Sequence, residues 1–316
     1  MIRRIVLLAP NGQVGFELQR SLAPLGQLFC LSRADVDFSD TAATSTRVMA
    51  LQPDLIVNAA AWTAVDKAET EQDAAYLLNA ALPAALAAIA RQLDCWLVHY
   101  STDYVYPGTG EQPWREDDAT APLSVYGASK LAGDLAIGQS GARHLIFRTS
   151  WVYAARGNNF MKTMLKLAAQ RESLSVVADQ FGAPTPARLI ANVTALVLQQ
   201  VLAQSTKDNC GLSCDKHSDK IGVYHLAAAG YTNWYQFADA IFAMARQAGI
   251  TLALQEQQFS AISTAQYPTP AQRPANSRLE LSKLEQTFGL TLPDWHSQLA
   301  QTFHEYRDAV LSSSYA

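Results

Sequence analysis

Short apolar runs alternate with helical stretches through the first half of the chain, and this alternation is the strongest constraint on the fold. Five apolar runs, typical of strands buried on both faces, lie at residues 2–9, 27–31, 54–59, 95–101 and 144–149. The stretches between them have helical character and lie at residues 14–22, 41–51, 71–93 and 124–139. Strands that alternate with helices build βαβ units. The sequence therefore predicts an α/β fold with a Rossmann-type, doubly wound parallel sheet.

The second half of the chain has a less regular rhythm and predicts a smaller α+β unit. Four helices are expected there, at residues 160–171, 186–203, 234–248 and 295–310, and one strand is expected at residues 223–227. We expect residues 1–155 to form a dinucleotide-binding domain. Residues 156–316 should form mainly a substrate-binding domain, with some segments returning to the sheet. The polar, turn-rich residues 205–220 predict a surface insertion.

Charge and hydropathy argue against nucleic acid and membrane partners. The 24 Lys and Arg residues and 28 Asp and Glu residues give a net charge of −4, and no basic block stands out. The longest apolar stretches, at 2–9 and 82–90, fall short of the about 20 residues that cross a bilayer. The first of them is also too short for a signal-peptide core, so we expect a cytoplasmic protein.

The four cysteines predict neither disulfides nor a metal site. Cys30 and Cys95 belong to predicted strands, where cysteine is expected as a small core residue. Cys210 and Cys214, with His217 nearby, could be part of a metal site. They supply at most three of the four ligands that a structural zinc ion needs, so a solvated loop is the favoured interpretation.

The turn after the first strand carries glycines in the pattern of a dinucleotide-binding motif. Gly12 and Gly15 occupy two positions of a G-x-x-G-x-x-G sequence, and Ala9 replaces its first glycine. Such glycines let the backbone approach a pyrophosphate at a helix N-terminus. An ordinary turn is the alternative, and the position directly after the opening strand favours the cofactor.

The residues after the second and third strands refine this prediction. Arg33 stands where an acidic residue would bind the ribose of NADH, and its charge suits the extra phosphate of NADPH. Asp37 and Phe38 could flank the adenine. Residues 60–63 follow the third strand, at the sheet edge where a cofactor would pass.

A tyrosine and a lysine at helical spacing predict the catalytic group. Tyr126 and Lys130 are four residues apart, so a helix presents both on one face. A neighbouring ammonium would lower the pKa of the phenol, and Thr102 would orient a substrate carbonyl. Such pairs also occur on solvated helix faces. The hydroxyl-rich strand end and the glycine turn favour hydride transfer between a nicotinamide and a carbonyl.

Eight sequence blocks together resemble the extended short-chain dehydrogenase/reductases that act on nucleotide sugars. They run nearly from end to end: GQVGFELQ (12–19), VNAAAWTAVDKAE (57–69), YSTDYVYPG (100–108), YGASKLAG (126–133), FRTSWVY (147–153), GNNFMKTML (157–165), DQFGAPT (179–185) and RPANSRL (273–279). Within that family they are most like reductases that use NADPH or NADH to reduce the C4 ketone of dTDP-4-dehydro-6-deoxy-L-mannose. The resemblance implies that Tyr126 is the proton donor.

The resemblance also implies a set of binding residues. Those that would contact the cofactor are Gly12, Gln13, Val14, Asp37, Phe38, Ala61, Trp62, Thr63, Tyr100, Tyr126 and Lys130. Those that would meet the dTDP-sugar are Thr102, Asp103, Tyr104, Trp151 and Asn159, with residues 179–185 lining the same cleft. By analogy with the family we also expect a homodimer.

One departure from the family concerns magnesium. Some members hold a magnesium ion between carboxylates where subunits meet, and the matching positions here are Glu17, Arg188 and Glu305. Arg188 stands where a carboxylate is expected. We hypothesise that its guanidinium replaces the ion by pairing with both glutamates, although an ordinary exposed surface is the alternative.

Other functions on the same scaffold remain open. A dehydratase would carry an Asp-Glu pair after the threonine, whereas Tyr104 follows Asp103 here. A nucleotide-sugar epimerase is less cleanly excluded. A regulatory subunit that binds NADP without catalysis is disfavoured because Thr102, Tyr126 and Lys130 are all present.

Overall fold

A computed structural model describes residues 2–205 and 220–313 as strands and helices that follow the predicted order. The strands are β1 (Arg4–Leu8), β2 (Gln27–Leu31), β3 (Leu55–Asn58), β4 (Trp96–Thr102), β5 (Arg143–Thr149), β6 (Val152–Tyr153), β7 (Leu174–Val177), β8 (Phe181–Gly182), β9 (Thr185–Pro186), β10 (Gly222–His225), β11 (Thr232–Asn233) and β12 (Phe259–Ile262). The helices are α1 (Gln13–Leu22), α2 (Thr41–Ala50), α3 (Val65–Ala68), α4 (Gln72–Tyr76), α5 (Leu82–Gln92), α6 (Val125–Gln139), α7 (Phe160–Gln170), α8 (Ala187–Ser205), α9 (Trp234–Gln247), α10 (Ser282–Phe288) and α11 (Trp295–Ser313). A π-helical turn, Leu77–Ala81, joins α4 to α5.

Six parallel strands form the central sheet, in the order β10-β5-β4-β3-β1-β2. This confirms the predicted doubly wound α/β fold. The chain runs from β1 outward to β2 and then returns to place β3 on the other side of β1. At such a reversal, helices leave the sheet in opposite directions and open a crevice at the carboxyl ends of the strands. The topology therefore puts the candidate site at the ends of β1, β3 and β4.

The two faces of β4 show how the sheet is packed. Trp96, Val98 and Tyr100 point into a core shared with α1 and α8, whereas Leu97 packs with α2, α5 and α6 on the opposite face. Alternation along a strand places His99 on the same face as Leu97. The end of β4 thus sends polar side chains towards α6.

The second half of the chain contributes to both parts of the molecule. Helices α7, α9 and α11 pack with β7 into a separate apolar core that contains Met161, Phe237 and Phe303. In contrast, β10 pairs with β5 in the central sheet, and α8 packs against α1. The central sheet therefore includes a segment beyond residue 155, and the domain boundary at that residue stays a prediction.

The longer predicted helices and strands match the structure to within about two residues at most ends. The short helices α3 and α10 and the two-residue strands were not predicted, because they are too short to show a period. The prediction that Cys30 is a core residue is wrong, since β2 lies at the sheet edge and leaves this side chain exposed. The predicted insertion, with Cys210, Cys214 and His217, lies outside the described residues.

One long apolar helix departs from the sequence expectation. Among the described residues, the continuous run Gln72–Gln92 is long and apolar enough to span a membrane by length and composition, with a mean hydropathy of 1.4. Its Leu82, Leu86 and Ile89 are buried against the sheet and α6. The apolar composition is therefore explained by packing in the core.

Two glycines bring α6 close to neighbouring backbone. A Cβ on Gly133 would lie 2.1 Å from the carbonyl oxygen of Asn79, and a Cβ on Gly127 would lie 2.3 Å from that of Tyr104. Real Cβ atoms do not approach backbone oxygens this closely, so any side chain at these positions would push the helix outward.

We expect Gly133→Ala to lower the free energy of unfolding by about 1–3 kcal/mol, because the added methyl group collides with the backbone at Asn79. Gly138→Ala is the matched control in the same helix, where a Cβ meets nothing within 4 Å. It should raise stability by about 0.5–1 kcal/mol through lower chain entropy in the unfolded state. Urea unfolding of both variants measures the difference, and equal stabilities would contradict the close approach.

Candidate active site

A cavity of about 690 Å³ opens at the carboxyl ends of β1, β3 and β4. Its size is that of a site for a cofactor or small ligand. The glycine turn, the end of β4 and the first turn of α6 form its walls. The cavity therefore lies where the topology predicts it.

The glycine turn leaves a helix N-terminus open to the cavity. Gly12 caps α1 without any side-chain hydrogen bond, so the first amides of this helix have no side-chain acceptor there. Ala9 has a φ of 58°, a left-handed conformation that glycine adopts most easily. A Cβ on Gly15 would lie 2.1 Å from the oxygen of Ala9, so this glycine is required by packing. The free amides and the positive end of the helix dipole suit a phosphate group.

The N-terminus of α6 is fixed by several hydrogen bonds that orient Tyr126 and Lys130. Ser124 Oγ caps the helix by accepting from Gly127 N at 3.2 Å, and Glu69 Oε1 accepts from Val125 N at 2.9 Å. Ser129 Oγ accepts at 3.0 Å from Asn79, which lies in the π-helical turn. These contacts present Tyr126 and Lys130 on one face of α6, where both line the cavity.

The Tyr126 phenol lies in a buried cluster of oxygen atoms. A hydrogen bond with Thr102 favours its ionised form, but burial dominates and raises the pKa of Tyr126 to about 12. The sequence predicted a lowered pKa from the neighbouring ammonium. That prediction is wrong, because burial outweighs the other influences. The phenol is therefore protonated at neutral pH, as a proton donor must be.

Asp103 is a buried carboxylic acid beside this cluster. Its Oδ1 accepts a hydrogen bond from Thr102 Oγ1 at 3.0 Å, and its Oδ2 has no hydrogen-bond partner among the described residues. Burial raises the pKa of Asp103 to about 6, although the hydroxyls of Ser277 and Thr102 partly offset this effect. The cavity thus contains an acid that can titrate close to neutral pH.

Lys130 is almost completely buried beneath the cavity. Its Nζ donates to the carbonyl oxygen of Tyr100 at 2.5 Å and lies 3.1 Å from His99 Nε2. Burial lowers the pKa of Lys130 to about 8, against the opposing attraction of Asp134. The sequence analysis did not identify His99, because its position one residue before Tyr100 suggests only a buried strand residue.

Two stacked indoles form the far wall of the cavity. The rings of Trp151 and Trp234 are 3.6 Å apart at an interplanar angle of 14°. Gly182 lies against the other side of Trp151, where a Cβ would be 2.7 Å from the ring. Trp234, which begins α9, was missed because it lies more than 80 residues beyond Trp151 in a helix that shows only amphipathic periodicity.

A second cavity of about 660 Å³ adjoins the first, and Tyr104 and Trp234 line both. Arg273 also lines the second cavity and pairs with Asp66 at 2.8 Å through Nη2. Arg273 Nη1 is buried and has no hydrogen-bond partner among the described residues. This unsatisfied donor suits an anionic or carbonyl group of a ligand.

Most predicted site residues lie together at the first cavity: Gly12, Gln13, Val14, Arg33, Phe38, Ala61, Thr63, Tyr100, Thr102, Asp103, Tyr104, Tyr126, Lys130 and Trp151. Asp37, Trp62 and Asn159 do not line it. Asn159 caps α7 and donates to Gln13 Oε1 at 2.9 Å, whereas Asp37 accepts from Ser39 N. Of residues 179–185, Gln180 lines the second cavity. The binding roles of all these residues remain predictions.

The predicted arginine pairing near α1 is present. Arg188 Nε donates to Glu17 Oε2 at 3.2 Å, and Arg188 Nη1 donates to Glu305 Oε1. A guanidinium between the two carboxylates offsets one of their two negative charges and occupies oxygens that a cation would need. Among the described residues, no group of three or more His, Cys, Asp or Glu could hold a metal ion. The residues at these positions therefore do not fit a magnesium site.

Known proteins resemble this chain over almost its whole length. The family model of the RmlD substrate binding domain matches residues 3–308. The dTDP-4-dehydrorhamnose reductase of Escherichia coli K12 is 50% identical over 305 residues, which cover 95% of this chain and 97% of the relative. That of Salmonella typhimurium is 51% identical over 295 residues, covering 92% and 94%. A crystal structure of the Bacillus anthracis dTDP-4-dehydrorhamnose reductase with NADP has 31% identity and a TM-score of 0.83, covering 96% and 100%.

The buried carboxyl group of Asp103 predicts a pH-dependent stability. The folded state keeps this proton up to about pH 6, whereas the unfolded chain releases it near pH 4. Stability therefore falls as the pH rises through this window. We expect Asp103→Asn to gain about 3 kcal/mol relative to the wild type between pH 4 and pH 7.5.

Urea unfolding at several pH values measures this gain. Asp239→Asn, which removes an exposed carboxylate on α9, is the control and should follow the wild-type pH dependence. A constant difference between Asp103→Asn and the wild type across the window would show that Asp103 ionises normally.

Proposed function

The chain belongs to the RmlD substrate-binding domain family, together with its dTDP-4-dehydrorhamnose reductase relatives, and from this we propose that it reduces the C4 ketone of dTDP-4-dehydro-6-deoxy-L-mannose to give dTDP-L-rhamnose. The observation that carries the proposal is the meeting of Thr102, Tyr126 and Lys130 at one cavity. These residues come from a strand end and a helix face that fold against each other. Their chemistry is that of a carbonyl reductase.

The first cavity is the proposed cofactor site. The open N-terminus of α1 would hold the pyrophosphate, and Arg33, beyond the end of β2, would favour the 2′-phosphate of NADPH. Lys130, at the base of the same cavity, would meet the nicotinamide ribose. NADPH or NADH supplies the hydride when bound. The chain's own contribution is to place the acceptor carbonyl and to provide a proton.

The second cavity is the proposed place of the dTDP moiety. It joins the first at Tyr104 and Trp234, so a ligand can lie across both with its sugar near Tyr126. Arg273 Nη1 is a buried donor without a partner, and a pyrophosphate or base carbonyl oxygen would satisfy it. Trp151 would lie beside the sugar, against the stacked Trp234.

The proposed chemistry requires only one proton from the protein. Tyr126 would donate a hydrogen bond to the C4 oxygen, and Thr102 would do so by turning its hydroxyl away from Asp103 Oδ1; both bonds polarise the ketone. As hydride reaches C4, the oxygen becomes an alkoxide and takes the proton of the Tyr126 phenol. The high pKa of this phenol in its buried setting keeps that proton in place until the alkoxide, a stronger base, forms.

We expect Tyr126→Phe to lower kcat by a factor of about 10²–10⁴ with little change in NADPH affinity, because it removes the proton donor and retains the ring. The measurement follows the absorbance of NADPH with purified protein and the dTDP-4-dehydro sugar. Tyr231→Phe, which removes a hydroxyl that donates to the Leu279 carbonyl oxygen outside both cavities, is the control and should retain full activity. Wild-type protein that binds NADPH without oxidising it would favour an epimerase or a regulatory subunit.

The pairing of Arg188 with two glutamates predicts that the enzyme does not need magnesium. Its guanidinium already pairs with Glu17 and Glu305, so EDTA should leave both kcat and the melting temperature unchanged. Arg188→Glu would gather three carboxylates, and we expect magnesium to raise the melting temperature of this variant only. Loss of wild-type activity in EDTA, restored by magnesium, would refute the proposal.

Two further properties remain predictions. A cytoplasmic location follows from the proposed use of nucleotide cofactor and nucleotide sugar. A homodimer follows only from analogy with the family, and sedimentation of the purified chain would test it.

A further inference from the structure

Beneath the cavity, three buried polar side chains form a row that ends at Lys130. Asn58, His99 and Lys130 are each about 1% exposed. Asn58 Nδ2 lies 3.1 Å from His99 Nδ1, and His99 Nε2 lies 3.1 Å from Lys130 Nζ. Neither Asn58 nor His99 lines the cavity, so the proposed reaction gives them no direct role.

The backbone fixes the first member of this row. Asn58 Oδ1 accepts a hydrogen bond from the amide of Ala60 at 3.1 Å. A backbone N–H can only donate, so the oxygen of the Asn58 amide must face Ala60. The NH₂ group of Asn58 therefore faces His99 and can only donate to it.

The histidine tautomer follows from this orientation. Burial and the nearby Lys130 hold the pKa of His99 well below its usual range, so the ring is neutral and carries one proton. Because Nδ1 accepts from Asn58, that proton is on Nε2. The Nε2–H bond then points towards Lys130 Nζ.

The two forms of Lys130 respond differently to this N–H group. An ammonium has three N–H bonds and no lone pair. It and the His99 Nε2–H group are therefore both donors, and they cannot form a hydrogen bond with each other. A neutral amine can donate to the Tyr100 carbonyl and accept from His99 with its lone pair. We propose that His99, oriented by Asn58, is a positioning residue that favours the neutral amine of Lys130.

The other charges around Lys130 do not produce this effect. Asp134, on the same helix, favours the ammonium, but Arg148 from β5 pairs with Asp134 at 3.1 Å and reduces its influence. Tyr126 on α6 lines the same cavity and stays neutral in the pH range of the Lys130 titration, whereas Asp103 after β4 is ionised there and, as a carboxylate, also favours the ammonium. Burial and the His99 N–H group are therefore the two features that oppose the charge, and only His99 can be changed while Lys130 stays buried.

The inference rests on the proposed function in assigning Lys130 to the cofactor ribose and Tyr126 to the proton transfer. In the proposed reaction the ammonium form of Lys130 would return a proton to the Tyr126 phenolate after the phenol has given one to the product, which leaves Lys130 as the neutral amine that His99 favours. The amine regains its proton from solvent once the product leaves. The Asn58–His99 pair would thus set the pH range in which Lys130 is ready for another turnover.

The test is an NMR titration of the ligand-free protein with labelled lysine and histidine side chains. The Lys130 signal is assigned by its loss in Lys130→Arg. In the wild type we expect the Nε2–H tautomer of His99. In His99→Gln the amide can rotate its oxygen towards Lys130, so the Lys130 titration should move upward by about one pH unit, a tenfold gain in proton affinity. His99→Asn, too short to reach Lys130, should give a smaller upward shift.

His144→Gln is the matched control, since His144 is a buried histidine on the neighbouring strand that contacts the Ala142 carbonyl. His144→Gln should leave the midpoint pH of the Lys130 titration unchanged. An Nδ1–H tautomer of wild-type His99, or an unchanged Lys130 titration in His99→Gln, would overturn the proposal. The wild-type tautomer decides the question even if the variants do not fold.

Activity provides a separate readout. The basic limb of the pH profile of kcat/KM should move upward in His99→Gln and stay in place in His144→Gln. The NMR result needs no substrate, so a protein without reductase activity would refute the proposed function and leave the tautomer and titration to decide the role of His99.

Discussion

The close contact of α6 with the turn after β4 and with the π-helical turn is the interaction on which the rest of the site depends. A Cβ at Gly127 or Gly133 would lie 2.1–2.3 Å from a backbone oxygen, more than an ångström inside normal contact distance. Because both positions lack a side chain, the helix can lie near enough for Lys130 to reach the Tyr100 carbonyl. Tyr126 is one turn earlier on the same face and enters the cavity for the same reason.

Side chains on the two faces of β4 are buried in different surroundings, one mainly apolar and the other polar. The Tyr100 side chain points to α8, and its hydroxyl forms a hydrogen bond with Thr194 Oγ1 at 2.9 Å in an otherwise apolar core. His99 and Ser101 point to α6, where they meet Lys130 and Asp134. Buried polar groups are costly without partners, and here nearly every one has a partner. The exceptions include Asp103 Oδ2 and Arg273 Nη1, one at each cavity.

The sequence predicted the sheet and most of the cavity lining, because both follow from the hydrophobic pattern of the strands and from the order of the motifs along the chain. Buried parallel strands appear as apolar runs, and their carboxyl ends meet at one edge, so the motifs at Gly12, Thr102 and Tyr126 had to converge. What it could not predict depends on neighbours from elsewhere in the chain. Cys30 is exposed because β2 is an edge strand, and strand order is not visible in the composition of one strand. Trp234 lines both cavities and stacks on Trp151, contacts that depend on how α9 packs in the fold.

Electrostatics was the least predictable part, and the reason is physical. The spacing of Tyr126 and Lys130 suggests that the cation lowers the pKa of the phenol, but spacing does not reveal burial, which opposes charge on both groups. With a pKa of about 8, Lys130 is still mostly an ammonium at pH 7, but burial of the phenol opposes the phenolate and keeps the Tyr126 proton in place. The two groups are therefore better described as a protonated acid beside a lysine that titrates near neutral pH. For a reductase this is a workable arrangement, because the alkoxide formed at the substrate, rather than the lysine, supplies the driving force for proton transfer.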